Sequence, residues 1–145
     1  AGPSEAIAAS LGRELGLDVR VELRGFEEHG SLLEEDTPDM WTLAWSADYP
    51  HAHAFLGLLL ESGSTANVGG WSDAGFDSLL EAAAATGDPA EQARLYAEAQ
   101  AIVRDEAPVI PLDYGATWWL SREDLRGGRV SGVGLMRYAD LAWAD

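Results

Sequence analysis

Residues 40–60 read MWTLAWSADYPHAHAFLGLLL, and how this stretch is read decides the fold. Its first part, Met40-Trp41-Thr42-Leu43-Ala44-Trp45, has Thr42 as its only polar side chain. Such an apolar run suits a strand covered on both faces. It stops at Ser46-Ala47-Asp48-Tyr49-Pro50, where Pro50 lacks the N–H a sheet ladder needs and presets a turn. Residues 55–60 are apolar again and predict a short helix. A carboxylate, Asp48, and two aromatics, Trp45 and Tyr49, are thereby expected just past the C-terminal end of a central strand. In open α/β sheets that end is where ligands bind.

Upstream, Ser4 is expected to cap a helix with an apolar stripe at Ile7, Leu11 and Leu15, stopped by Gly16. Residues 18–24 alternate, Val19, Val21 and Leu23 against Arg20, Glu22 and Arg24, which predicts a strand with one wet face. Acidic residues 26–35 have the length of a crossover helix into the residue-40 strand. The order α-β-α-β favours a parallel pair and an α/β fold. Downstream, residues 61–70 are loop-like in composition. Ser72 is expected to cap a helix with Phe76, Leu79, Leu80 and Ala83 inward, ended by Gly87. Asp88-Pro89-Ala90-Glu91 predicts a second helix reaching about Glu106, with Leu95, Ala99, Ile102 and Val103 inward. Residues 109–120 are apolar and β-rich, and four glycines (127, 128, 132 and 134) make the tail irregular, with one more short strand possible over residues 129–135.

The chain has 145 residues, enough for one domain, and 47% hydrophobic side chains, enough for a core. A formal net charge of −16 argues against nucleic acid, because no basic patch exists to meet phosphates. All nine basic residues are Arg, which removes P-loop and Schiff-base lysine chemistry. Cysteine is absent, so disulfides and thiol catalysis are excluded. No run approaches the ~20 apolar residues of a membrane span. The opening residues carry no signal peptide, so export would need a signal upstream.

Four segments together resemble the C-terminal lobe of the family 5 extracellular solute-binding proteins, the binding components of peptide/nickel-type ABC importers. They are the W-S-A-D-Y-P of residues 45–50 followed by Phe55-Leu56; Asn67-Val68-Gly69-Gly70-Trp71-Ser72-Asp73 leading into Phe76-Asp77-Ser78-Leu79-Leu80; Asp88-Pro89-Ala90-Glu91-Gln92-Ala93-Arg94 with Tyr96; and Ala107-Pro108-Val109-Ile110-Pro111-Leu112. They cover roughly residues 6–120 in the family's order. The resemblance implies part of a type II periplasmic-binding-protein fold, with helices on a mixed, partly parallel sheet. Residues 1–112 would form a partial C-terminal α/β lobe, and residues 113–145 a hinge-proximal strand and a tail returning towards a missing N-terminal lobe. It further implies an extracytoplasmic protein, lipid-anchored at full length, that holds an oligopeptide for an ABC permease. No cofactor is expected.

In peptide-binding members the Asp of this motif grips the peptide's α-ammonium, which puts Asp48 in that role. The carboxylate can hold a cation by a charge-assisted hydrogen bond; capping the next helix is the plain alternative. Trp45 and Tyr49 would be apolar wall or core, since rigid aromatic faces supply area at small entropic cost. Tyr114, by resemblance near the hinge, is the fourth candidate. Trp118 and Trp119 are neighbours on an expected strand, so at most one can face a ligand. His51-Ala52-His53 lacks a third His or Cys and is read as a solvated loop rather than a metal site. Catalysis finds no elbow, H-E-x-x-H or Cys nucleophile. An oligosaccharide binder of the same family, a ligand-sensing domain of a regulator, and a peptide- or ester-cleaving enzyme remain the alternatives. His51-Ala52-His53-Ala54 departs from the family pattern beside the pocket and leaves the ligand type open.

Overall fold

The computed structural model describes residues 2–116 and 118–144. They form a helix-rich structure with one small sheet, in two compact units, Ala1–Ala44 and Trp45–Asp145.

In the first unit, α1 (Pro3–Leu15) is capped two residues earlier than the expected Ser4. Gly2 caps it, Pro3 sits at its first position, and the Gly2 N–H donates to Glu5 at 2.5 Å. Proline's preset φ suits that position, so the helix starts there. Gly16 closes the helix at φ 69°, and its N–H donates to the Gly12 carbonyl at 3.1 Å. None of the α1 stripe is fully buried; Leu15 is 66% exposed. Helix α2 (Phe26–Glu35) buries Leu33, and the Thr37 hydroxyl donates to the Leu33 carbonyl at 2.8 Å.

In the second unit, a single turn of 3₁₀ helix (Ala52–Ala54) leads into α3 (Leu56–Leu60). Helices α4 (Ala74–Ala85) and α5 (Pro89–Glu106) form a hairpin across Thr86, Gly87 and Asp88. The core joins Leu56 and Leu60 of α3, Phe76, Leu80 and Ala83 of α4, and Leu95, Tyr96 and Ala99 of α5. Ala83 and Ala99 are fully buried, and side chains this small let two helices approach closely. Trp71 packs edge-on to Phe76 with ring centroids 5.1 Å apart. The cap of α4 is Asp73 rather than the expected Ser72: its carboxylate accepts from the Phe76 N–H at 2.7 Å. Asp88 caps α5 as expected, accepting from Ala90 at 2.9 Å.

The sheet departs from expectation. Among the described residues it is one antiparallel pair, β1 (Leu125–Arg126) with β2 (Ala142–Trp143), and no parallel pair forms. Residues 18–24, 40–45 and the described part of 109–120 are not strands; Thr117 lies outside the described residues. Their periodicity is sound, but a strand exists only where a neighbour completes its ladder, and none is placed alongside. The tail carries its own order. Gly127, at φ 81°, packs its Cα against the Asp140 carbonyl so tightly that a Cβ would come within 1.8 Å. Val130 and Met136 add an isolated bridge where a short strand was expected.

Candidate functional site

Three of the four expected site residues lie on one loop, residues 45–50. The Trp45 indole N–H donates to the Ala54 carbonyl at 2.8 Å, drawing the two ends of that loop together. The Tyr49 hydroxyl hydrogen-bonds Nδ1 of His53 at 2.7 Å, and the Tyr49 carbonyl accepts from the His51 N–H at 2.8 Å. Both aromatics are therefore anchored by their polar ends while their rings stay partly open, 37% exposed for Trp45 and 39% for Tyr49. Asp48 stands between them, exposed, and neither caps a helix nor pairs with a cation among the described residues. Its carboxylate is open to solvent. The capping role is taken instead by His51, whose Nδ1 accepts from the His53 N–H.

Tyr114 is not brought to this loop. Its side chain is fully exposed, on a segment where Ile110 and Leu112 are exposed as well. Trp118 is 92% and Trp119 51% exposed, so one of the pair is covered more than the other. Two surface hollows among the described residues lie elsewhere, one along α1 beside Ile7 and Leu11 and one between Arg122 and Ala144.

Residues that the sequence reading passed over hold this face in place. Asn67 reaches the carbonyls of Leu60 and Glu61, each at 3.3 Å, and of Trp71 at 2.7 Å, which fastens the connection between α3 and α4. Its signal was the Asn67-to-Trp71 spacing, noted for resemblance but not for chemistry. His51, read as solvated, is half-buried and meets Gln92 of α5 at 3.0 Å and the edge of the Tyr96 ring at 5.2 Å. Burial pushes the Tyr96 hydroxyl above its ordinary range, with Tyr49 and Glu61 adding to the effect. No local pattern announces a pairing between residues 51 and 92. Among the described residues no three His, Cys, Asp or Glu side chains gather as a metal set.

No family model matches the chain. It is similar to several curated proteins. Over 135 residues it is 33% identical to Di/tripeptide-binding protein 4 of Pseudomonas aeruginosa, covering 86% of this chain and 25% of that one. It is 25% identical to the Oligopeptide-binding protein OppA of Bacillus subtilis, covering 90% of this chain and 24% of the relative. It is 39% identical over 111 residues to the Probable deoxycholate-binding periplasmic protein YgiS of Escherichia coli, covering 75% and 21%. These relatives are binding proteins, not enzymes. The chain spans about a quarter of the length of the curated relatives it matches. Most of its residues take part in those matches, and the chain is a homologue of the family 5 peptide-binding proteins that its four motifs resemble.

Proposed function

We propose that this chain forms one wall of the ligand cleft in an extracytoplasmic solute-binding protein that delivers an oligopeptide to an ABC importer. Asp48 is the electrostatic anchor for the peptide's ammonium, Trp45 and Tyr49 are the apolar wall, and Tyr114 closes on the ligand from the hinge side. Residues 1–112 belong to the C-terminal lobe of a type II periplasmic-binding-protein fold; residues 113–145 run back towards the N-terminal lobe. The intact protein is lipid-anchored outside the cytoplasm. No described helix is long and apolar enough to cross a membrane. The ABC permease is the membrane partner in this reading. The observation that carries the reading is an unpaired carboxylate set between two aromatics whose polar ends are already tied down. Such an arrangement has little side-chain freedom left to lose when a guest arrives.

The test is a calorimetric titration of the intact protein with tri-alanine. Asp48→Asn keeps the shape and removes the charge. A charge-assisted bond contributes about 1.5–3 kcal/mol, so affinity should fall by about ten- to a hundredfold. A change of twofold or less would remove the ammonium role.

A second reading is favoured by the similarity to YgiS, a probable deoxycholate-binding protein, since deoxycholate carries a negative charge. For an anionic or neutral guest, an oligosaccharide included, Asp48→Asn should leave binding unchanged or tighten it. Running the same variant against both ligand types separates the two readings.

A further inference from the structure

The hydrogen bonds around His51 dictate its chemical state. Nδ1 of His51 lies 3.2 Å from the backbone N–H of His53. A backbone N–H only donates, so Nδ1 carries a lone pair and the proton of the neutral ring sits on Nε2. That Nε2 is 3.0 Å from Oε1 of Gln92, and Nε2 of Gln92 donates to the Ala83 carbonyl at 2.8 Å. Exchanging the two amide atoms would set donor against donor at His51 and acceptor against acceptor at Ala83. Both neighbours therefore select the same amide orientation. Beyond His51, the ring of His53 bonds the Tyr49 hydroxyl at 2.7 Å. His53 in turn lies across Gly57, where a Cβ would come within 2.4 Å of its ring. A chain of contacts runs from Ala83 in the last turn of α4, through Gln92 of α5 and His51, to the backbone N–H of His53, whose ring in turn meets Tyr49.

We propose that His51 and Gln92 are positioning residues that tie the Asp48–Tyr49 face to the α4–α5 hairpin. The ligand part of this rests on the reading of Asp48 and Tyr49 given above. Protonating His51 places a second N–H on Nδ1, facing the N–H of His53. The cap of the Ala52–Ala54 turn is lost and the face loosens. The titratable groups facing His51 are Tyr49 and His53 on the same loop and Tyr96 from α5, with Glu61 acting on Tyr96. No carboxylate forms an ion pair with His51 among the described residues, and the Gln92 side-chain oxygen accepts from its Nε2–H.

Long-range proton–nitrogen spectra of the intact protein read the His51 tautomer with no ligand present. The relay requires the neutral Nε2–H form at about pH 7.5. An Nδ1–H tautomer, or a ring already charged, overturns it. Titration with tri-alanine then tests the coupling: Gln92→Leu should cost about fivefold in affinity. His51→Asn, whose side-chain oxygen can still cap the His53 N–H, should retain more affinity than His51→Leu. An unaffected Gln92→Leu sinks the coupling and leaves Asp48 as anchor. No peptide binding by wild type, with the tautomer as expected, removes the ligand role itself.

Discussion

Gly57 shows how one absent atom can matter more than a helix preference. Replacing an interior helical glycine with alanine ordinarily stabilises by roughly 0.5–1 kcal/mol. Here the new Cβ would sit 2.4 Å from the His53 ring, which would have to leave its place against Tyr49. Overpacking of this kind costs about 1–3 kcal/mol. Gly57→Ala is therefore expected to lower the urea midpoint and weaken peptide binding; a gain in stability would show that the ring moves aside freely. Tyr49 and Trp45 were legible in sequence as aromatics next to a carboxylate. What each does with its polar end was not, because Ala54 and His53 are named as partners only by the turn that follows Pro50.

At the scale of elements, helices declare themselves locally and strands do not. Asp88-Pro89 marks the start of α5 because cap, first-turn proline and acidic first turn are all encoded within a few residues. Its end is less well served. Ala107 occupies the left-handed region at φ 49°, where a Cβ is unfavourable. Ala107→Gly should raise stability by roughly 0.5–1 kcal/mol, seen as a higher melting temperature; an unchanged or lower value would mean that the unfolded chain's extra freedom cancels the relief. Exposed ion pairs such as Arg94 with Glu91 and Glu98 hold the Glu91 carboxyl below its ordinary range, with the hydrogen bond from Arg94 as the main cause. That contribution is present above the ordinary carboxylate range and fades as pH falls, and solvent screening keeps it small.

At the scale of the molecule, the apolar segment at residues 109–116 is left uncovered, with Ile110 75% and Tyr114 fully exposed. Amide exchange on this chain alone should be fast there and slow in α4 and α5, where the core lies. In the intact protein, the proposed lobe arrangement requires the same amides to become protected. Fast exchange in both forms would argue against a hinge-proximal strand.

Sequence alone settled the helices from α3 to α5, the identity of much of their buried face and the kinship with peptide-binding proteins, because caps, periodicity and motif order are properties of neighbouring residues. Pairing is a different matter. Whether an alternating segment becomes a strand depends on a neighbour distant in the chain, and the meeting of His51 with Gln92 depends on how α5 packs beside the turn. Those contacts only the tertiary structure decided, since hydrogen bonds across long separations leave no pattern in either segment taken by itself.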